Sequence, residues 1–357
     1  MLHGVIMAGG SGTRFWPKSR KNKPKQLQNI FCKRTMIQET LHRIKPLIDT
    51  NNTLVITGSS HAGQLKKQIP EIPDQNIIIE PVGRNTAPCI GLAALYIKRK
   101  DPQGVMAVLA ADHLIKNERE FLNVLSVAKR VAEEKGYLIT LGIRPKKPET
   151  GYGYIQYGEE ILDINNKRVF KVNRFIEKPK KEVAEKFLSS ENYLWNSGMF
   201  IWKADTILKM IEIHLPELYQ GLMRIDNAIS TDKEGDTIEE VYSCIENISI
   251  DYGIMEKIKD VVVIPCDPGW SDVGSWNSLP DVLPCNEHGN VITGKHIGID
   301  TTGSIIHAPH KLIATIGIKD MIIIETEDAL LICPRERGED VKRLVENIRE
   351  KKMDEYL

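Results

Sequence analysis

Short apolar runs that stop at a glycine or a carboxylate alternate along the first part of the chain with stretches whose apolar positions recur at helical spacing. Val5–Ala8 stops at Gly9, and Thr53–Thr57, Asn76–Glu80, Val105–Ala110 and Tyr137–Gly142 repeat the pattern. Runs this short and this apolar predict buried strands of a parallel sheet. Between them, Thr35-Met36-Ile37-Gln38 has the form of a capping box, opening a helix with Ile37, Leu41, Ile44 and Ile48 on one face until Pro46 ends or kinks it. His61–Gln68, Ile90–Lys98 and Glu118–Lys135 predict further helices, the last with Phe121, Leu122, Leu125, Ala128 and Val131 inward. Strand–helix alternation of this kind predicts an α/β fold built on a doubly wound, mostly parallel sheet.

From Thr150 the texture changes. Gly151-Tyr152-Gly153-Tyr154-Ile155 is a glycine–aromatic turn leading into a strand, and Val169–Ile176 is another strand, ending in Glu177-Lys178-Pro179. Helices follow at Pro179–Ser189 and Ala204–His214, on either side of Trp195–Trp202, which reads as a loop feeding a strand. Beyond Pro284, Val291–Thr293, His296–Ile299, Ser304–His307, Lys311–Ile316, Met321–Glu325 and Ala329–Cys333 read as short strands at close spacing. Such spacing suggests a β-solenoid or small β-roll, with an amphipathic helix near 339–351 as its cap or docked on a neighbour. The expected domains are 1–283 and 284–357.

Composition narrows the class. The 357 residues carry 48 Lys+Arg and 48 Asp+Glu, so there is no global basic field for nucleic acid. Six scattered cysteines lack C-x-x-C spacing, which argues against a zinc ribbon or disulfide scaffold and suits a reducing cytosol. The N-terminus opens directly on a strand, without the layout of a signal peptide, and no apolar run reaches transmembrane length. A soluble, cytoplasmic protein that binds neither nucleic acid nor membrane is expected.

The candidate chemistry begins at Gly9-Gly10-Ser11-Gly12-Thr13-Arg14. Glycines here permit φ > 0 and close approach to a ligand, and consecutive N–H groups form an anion nest. Arg14 and Lys25 add charge suited to a polyphosphate. Thr13-Arg14 after Gly12 departs from a Walker A loop, and Phe15 stands where a dinucleotide fingerprint needs its third glycine. A plain glycine turn with a charged tail is the competing reading. Ligands of doubly wound sheets bind at the carboxyl ends of the strands, where Gly9–Arg14, Glu80–Asn85 and Asp112 all fall, so one shared crevice is expected. Asp112 and Asp272 are candidate ligands for Mg²⁺, which takes few carboxylates plus water and phosphate oxygens; either alone could be an ordinary loop-capping carboxylate. His113 reads better as structural than as a base. Glu80 could accept from N1–H and the exocyclic amine of guanine, or simply end a strand in solvent. Glu177 could accept sugar hydroxyls and Lys178 hold a sugar phosphate, or the two could form a surface ion pair. Asn196 and Ser197 offer neutral groups for further hydroxyls. No activated nucleophile stands out. Direct transfer needs none, because the second substrate's own oxygen attacks.

These motifs together resemble the sugar-1-phosphate nucleotidylyltransferases. The resemblance is carried by Gly9–Arg14 with Trp16-Pro17, Pro24-Lys25-Gln26, Glu80-Pro81 with Gly83–Pro88, Ala111-Asp112-His113, Gly151-Tyr152-Gly153, Phe175–Pro179, Asn196–Phe200, Asp251-Tyr252 with Met255-Glu256-Lys257, and Gly269–Gly274. It implies a Rossmann-like catalytic domain followed by a left-handed β-helix, and transfer of GMP from GTP to α-D-mannose 1-phosphate with release of pyrophosphate. By resemblance, Ala8, Gly9, Gly10, Ser11, Gly12 and Thr13 cradle the triphosphate with Arg14 and Lys25. Glu80, Asn85 and Thr86 lie near guanine, and Asp112 and Asp272 hold Mg²⁺. Gly153, Glu177, Lys178, Asn196 and Ser197 bind the sugar phosphate. Ala110 stands where the family usually has proline, and Phe15 where it has leucine. Longer relatives append a cupin with isomerase activity, which is expected to be absent here. The β-rich tail is compatible with a homodimer. The rivals are a sister transferase using another nucleotide or hexose 1-phosphate, and a non-catalytic nucleotide-sugar sensor. A nicotinamide oxidoreductase is disfavoured by Phe15.

Overall fold

In a computed structural model, which describes residues 1–10, 12–31 and 33–357, the chain forms two compact units that are both discontinuous in sequence. The first comprises Met1–Gly9, Leu41–Ala111 and Ile115–Trp270; the second comprises Gly10–Thr40, Asp112–Leu114 and Ser271–Leu357.

The first unit is built on one sheet. Its strands are β1 (Leu2–Met7), β2 (Thr53–Gly58), β3 (Ile77–Glu80), β4 (Val105–Ala110), β5 (Leu138–Ile143), β6 (Tyr154–Ile164), β7 (Lys167–Ile176), β8 (Tyr193–Lys203) and β9 (Val261–Cys266). Their order is β3-β2-β1-β4-β8-β5-β9-β7-β6, and β6 also pairs with β8. β7 and β8 run against the rest, so the sheet is mostly parallel, as expected. Five parallel-running strands are apolar at nearly every position because both faces are covered, which is why they read as continuous runs. The covering helices include α1 (Thr86–Lys100), α2 (Glu118–Lys135), α3 (Ala204–His214), α4 (Pro216–Ala228) and α5 (Glu234–Cys244). Ile90 and Ile97 of α1, Ile207 and Ile211 of α3, Leu222 of α4 and Tyr242 of α5 close one core with Met106, Val108, Phe200 and Trp202 of the sheet. α2 packs on β4, β5, β8 and β9. It spans the expected residues because Asn117 caps its start, accepting from Glu120 N at 3.1 Å, and Gly136 ends it at φ 71°.

Several elements differ from the sequence reading, among them Trp195–Trp202, which lies wholly within strand β8 and is not a loop feeding one. α1 begins at Thr86, not Ile90, because Asn85 at φ 68° accepts from Thr86 N and Pro88 falls in the first turn, where no amide hydrogen is needed. The antiparallel β8 inserts between β4 and β5, a long-range pairing that local periodicity does not encode.

The second unit contains a four-stranded sheet of β10 (Val291–Ile299), β11 (Ile305–Ile316), β12 (Met321–Glu325) and β13 (Leu330–Pro334). The first three pair in parallel, the stacking of successive β-helix coils, and the last turns back antiparallel. Two of the expected short strands merge into each of β10 and β11, with the register slipping between Gly294 and His296. Helix α6 (Val341–Glu350) follows, inside the expected span. Phe15, Trp16, Trp276, Val291, Ile305, Ile322 and Val345 share one core, so the segment after the glycine loop folds with the β-helix.

Gly142 tests how tightly the sheet is filled. A Cβ there would lie 2.5 Å from Leu194 Cδ1 and 2.7 Å from Val263 Cγ2. Gly142→Ala should destabilise by about 1–3 kcal/mol through overpacking, read as a lower midpoint in thermal denaturation. An unchanged midpoint would show that the neighbours absorb a methyl group.

Candidate functional site

In the first unit the carboxyl ends of β1 to β4 lie side by side. Glu80 is in register with Gly58, and Met7 with Ile56 and Ala110. Ala8 N donates to Ile56 O at 2.7 Å and Ala111 N to Met7 O at 3.0 Å, so the amide of Ala8 is committed to the sheet while Gly9 is exposed. Glu80 ends β3 only 6% exposed, and its Oε1 is buried with no hydrogen-bond partner. Burial pushes its carboxyl up to about 7, against a smaller lowering by the facing Tyr242 hydroxyl. Arg84 fixes the end of α5, donating from Nε to Tyr242 O at 2.7 Å and from Nη2 to Ser243 O at 2.8 Å. Exposed Asn85 caps α1, and Thr86 Oγ1 accepts from Ile250 N at 2.8 Å.

A second group in the same unit surrounds Glu177. Lys178, at φ 47°, pairs with Glu177 Oε1 at 3.1 Å, while Oε2 is buried and unpartnered. Gly153 lies against that oxygen so closely that any Cβ would collide with it. Asn196 N donates to Gly153 O at 2.8 Å, and its side chain is fixed at both ends. Nδ2 donates to Asp251 Oδ1 at 2.8 Å; Oδ1 accepts from Thr140 Oγ1 at 3.2 Å and Gly198 N at 3.1 Å. Desolvation and then the Glu177 charge push Asp251 up to about 6. Ser197 alternates to the other face of β8: its hydroxyl is buried, donating to Leu141 O at 2.7 Å and accepting from Met199 N at 3.3 Å. Its hydroxyl is therefore committed to the protein interior, a correction to the expectation that it meets sugar. Asp251 belongs to a sequence motif that assigns it no role, and Tyr242 is not singled out by the sequence. Asp251 sits in an irregular π-type turn without periodicity, and Tyr242 reads only as a core aromatic.

The second unit holds the cationic group. Lys25 is 4% exposed, and its ammonium lies 2.8 Å from Asp112 Oδ2 and 2.7 Å from Asp272 O. Burial alone would raise the Asp112 carboxyl, but the charges of Lys25 and His113 hold it below the usual carboxylate range. Gly12, at φ 58°, lies flush on Lys25: a Cβ there would come 2.5 Å from Lys25 Cβ and 3.0 Å from its amide nitrogen. Gln26 Nε2 donates to Gly10 O at 3.2 Å, so the loop is tied down at two points. Thr13 opens a short helical turn. Arg14 Nε pairs with Glu339 Oε2 at 2.8 Å on a half-exposed surface. Asp272 Oδ1 accepts from Gly274 N at 3.1 Å. Ser11, expected in the phosphate cradle, lies outside the described residues.

The donor chemistry fits a divalent metal. Among the described residues no group of three or more His, Cys, Asp or Glu side chains could cage an ion. One ammonium nevertheless gathers an oxygen of the Asp112 carboxylate and the main-chain carbonyl of Asp272, the kind of sparse oxygen set that a hard cation completes with water and phosphate oxygens.

A sheet with polar groups at its strand ends and a phosphate-type glycine loop is the equipment of nucleotide transfer, and the chain belongs to the nucleotidyl transferase family, whose model matches residues 3–287. A second model, described as a MannoseP isomerase/GMP-like beta-helix domain, matches residues 294–348. Within the family the chain groups with the mannose-1-phosphate guanylyltransferases. The Klebsiella pneumoniae protein of that name is 41% identical across 100% of this chain and 76% of its own length. That of Escherichia coli strain K12 is 40% identical across 98% of this chain and 73% of its own. A crystal structure from Thermus thermophilus, described as a mannose-1-phosphate geranyltransferase, superposes at a TM-score of 0.88 with 30% identity, covering 98% of this chain and 99% of that one.

Glu80 makes a pH prediction. Its carboxyl titrates near 7 when folded and near 4.5 in the unfolded chain, so folding retains a proton across that window and stability falls as pH rises through it. Glu80→Gln should remove that loss, worth about 3 kcal/mol above the window and nothing below it. Thermal midpoints of the two proteins compared across pH check this; a difference that does not change with pH would contradict it.

Proposed function

We propose that this protein transfers GMP from GTP to α-D-mannose 1-phosphate, giving GDP-mannose and pyrophosphate. The observation that carries the reading is the Lys25–Asp112–Asp272 cluster under a glycine loop, in a chain about 40% identical along nearly all its length to mannose-1-phosphate guanylyltransferases. An oxygen of the sugar phosphate attacks the α-phosphorus of GTP. The bond from that phosphorus to the bridging oxygen of the β-phosphate breaks, and pyrophosphate leaves. No covalent enzyme intermediate is required, so the protein's task is to position the substrates and offset charge.

On this reading Gly9, Gly10, Ser11, Gly12 and Thr13, with Arg14 and Lys25, hold the triphosphate. Glu80, through its unpartnered Oε1, accepts from guanine N1–H and its amine, Asn85 and Thr86 lie beside the base, and Ala8 supports the loop. Glu177 accepts sugar hydroxyls through its orphaned Oε2, Lys178 holds the sugar phosphate, Gly153 makes room, and Asn196 binds a hydroxyl, with Ser197 packed behind it. Asp112 and Asp272 would hold Mg²⁺, which supplies neutralisation of phosphate charge when bound. The catalytic domain spans 1–283 and the β-helix 284–357. We place the protein in the cytoplasm, as a homodimer; among the described residues no helix is long and apolar enough to cross a membrane.

Pyrophosphate release measured with Mg²⁺, each nucleoside triphosphate and a panel of hexose 1-phosphates tests the assignment. GTP with mannose 1-phosphate should be the preferred pair; silence with that pair would sink it. Asp112→Asn and Asp272→Asn should each abolish turnover in folded protein, whereas near-normal rates would remove them as metal ligands. Glu80→Gln should raise KM for GTP roughly 10- to 100-fold, the loss of a charged hydrogen-bond acceptor. An unchanged KM would take guanine away from Glu80.

A further inference from the structure

Lys25 has two demands on it in the proposed function, and the structure shows only one of them satisfied. Its ammonium is buried, fixed to Asp112 Oδ2 at 2.8 Å and Asp272 O at 2.7 Å, and 5.5 Å from the centroid of the Phe15 ring. Its backbone and Cβ are covered by Gly12. The side chain therefore sits in a shaped slot, with its charge on the two residues that would bind a divalent cation. An ammonium and a divalent cation on one carboxylate oxygen repel each other, and the second charge of the ion doubles that repulsion. The Asp112 side chain is 33% exposed, and left with neither partner it would lose the positive charge that now sits on it.

We propose that Lys25 is the resident counter-ion of the metal-binding carboxylate and exchanges places with the divalent cation: the ammonium holds Asp112 until a metal takes it, and is thereby released to phosphate. This rests on the reading of Asp112 and Asp272 as metal ligands. The exchange keeps Asp112 neutralised in either state. It also makes metal without nucleotide a weak ligand, because the ion must displace an ammonium that has no phosphate to move to. Metal and nucleotide then favour each other's binding, with Lys25 as the moving part that couples them.

The test uses Mn²⁺ alone, with free ion followed by electron paramagnetic resonance in the full chain without nucleotide. Lys25→Met, which keeps the apolar shaft and removes the charge, should bind Mn²⁺ at least about 10-fold more tightly than the unmodified protein, within the usual span of site-to-site coupling. Asp112→Asn should lose that binding. Equal affinity in Lys25→Met and the unmodified protein, both abolished by Asp112→Asn, overturns the exchange while leaving the metal site intact. Binding indifferent to both Asp112→Asn and Asp272→Asn overturns the metal site and the exchange with it. Should Lys25→Met fail to fold, nitrogen-15 NMR of the lysine ammonium groups reads the unmodified protein directly. The slowly exchanging ammonium signal missing from Asp112→Asn should shift or vanish on saturation with Mg²⁺; a signal that stays in place through saturation overturns the proposal.

Discussion

The ion pair between Lys25 and Asp112 ties together distant stretches of the second unit. An ammonium only 4% exposed must be neutralised and hydrogen-bonded, or the segment that carries it will not stay folded in. Asp112 supplies the charge and the Asp272 carbonyl a second acceptor. Three stretches of chain, around residues 25, 112 and 272, are thus pinned by one nitrogen. The glycine loop is set in turn by what lies beneath it. Gly12 is required both by its positive φ and because Lys25 fills the space where a side chain would begin.

The first unit solves a different electrostatic problem. Glu80, Glu177 and Asp251 are carboxyl groups withdrawn from water, and two of them are held well above their ordinary range by that withdrawal. Glu80 Oε1 and Glu177 Oε2 are buried acceptors without donors. Buried polar atoms in a folded protein are nearly always satisfied, and exceptions mark places where something else supplies the partner. Leaving these two oxygens without donors costs stability, and on the proposed function a ligand carrying N–H or O–H groups would recover it. Asp251 differs in kind: by accepting from Asn196 Nδ2 it fixes which way that amide faces, while Thr140 and Gly198 secure the oxygen end.

Much of this was legible in the sequence, for reasons that also explain what was not. Val105–Ala110 and Glu118–Lys135 could be read to the residue because both faces of the strand are buried and both ends of the helix are capped. The start of α1 was misplaced because its cap is an asparagine at positive φ, a conformation that composition does not announce. The place of β8 in the sheet depends on pairings with residues about 50 to 100 positions away, beyond any local pattern. At the candidate site, residue types suggested a chemistry but not which side chains meet. Nothing in Lys25 foretells Asp112, and the alternation that separates Asn196 from Ser197 becomes decisive only once the faces of β8 are known.

The tail is the least expected contributor. As a sequence it reads as an appendage of short strands, yet in the second unit it forms the wall against which the residues after the glycine loop are packed. Trp276 Nε1 donates to Trp16 O at 3.0 Å, and Trp16 Nε1 donates to Tyr356 O at 2.7 Å, one residue from the end of the chain. Arg20 reaches Asp328 at 2.8 Å, and Arg14 reaches Glu339 at the same distance. The aromatic bodies of Phe15 and Trp16 are buried among Val291, Ile305 and Ile322 of the β-helix. A phosphate-binding loop must present its amides in one fixed arrangement, and glycines supply the freedom to reach that arrangement without the rigidity to keep it. The rigidity comes from the two aromatic residues just beyond the loop, anchored in a core that the last 70 or so residues create. The β-helix therefore belongs to the apparatus that shapes the loop, because Phe15 and Trp16 pack in the same core as its coils.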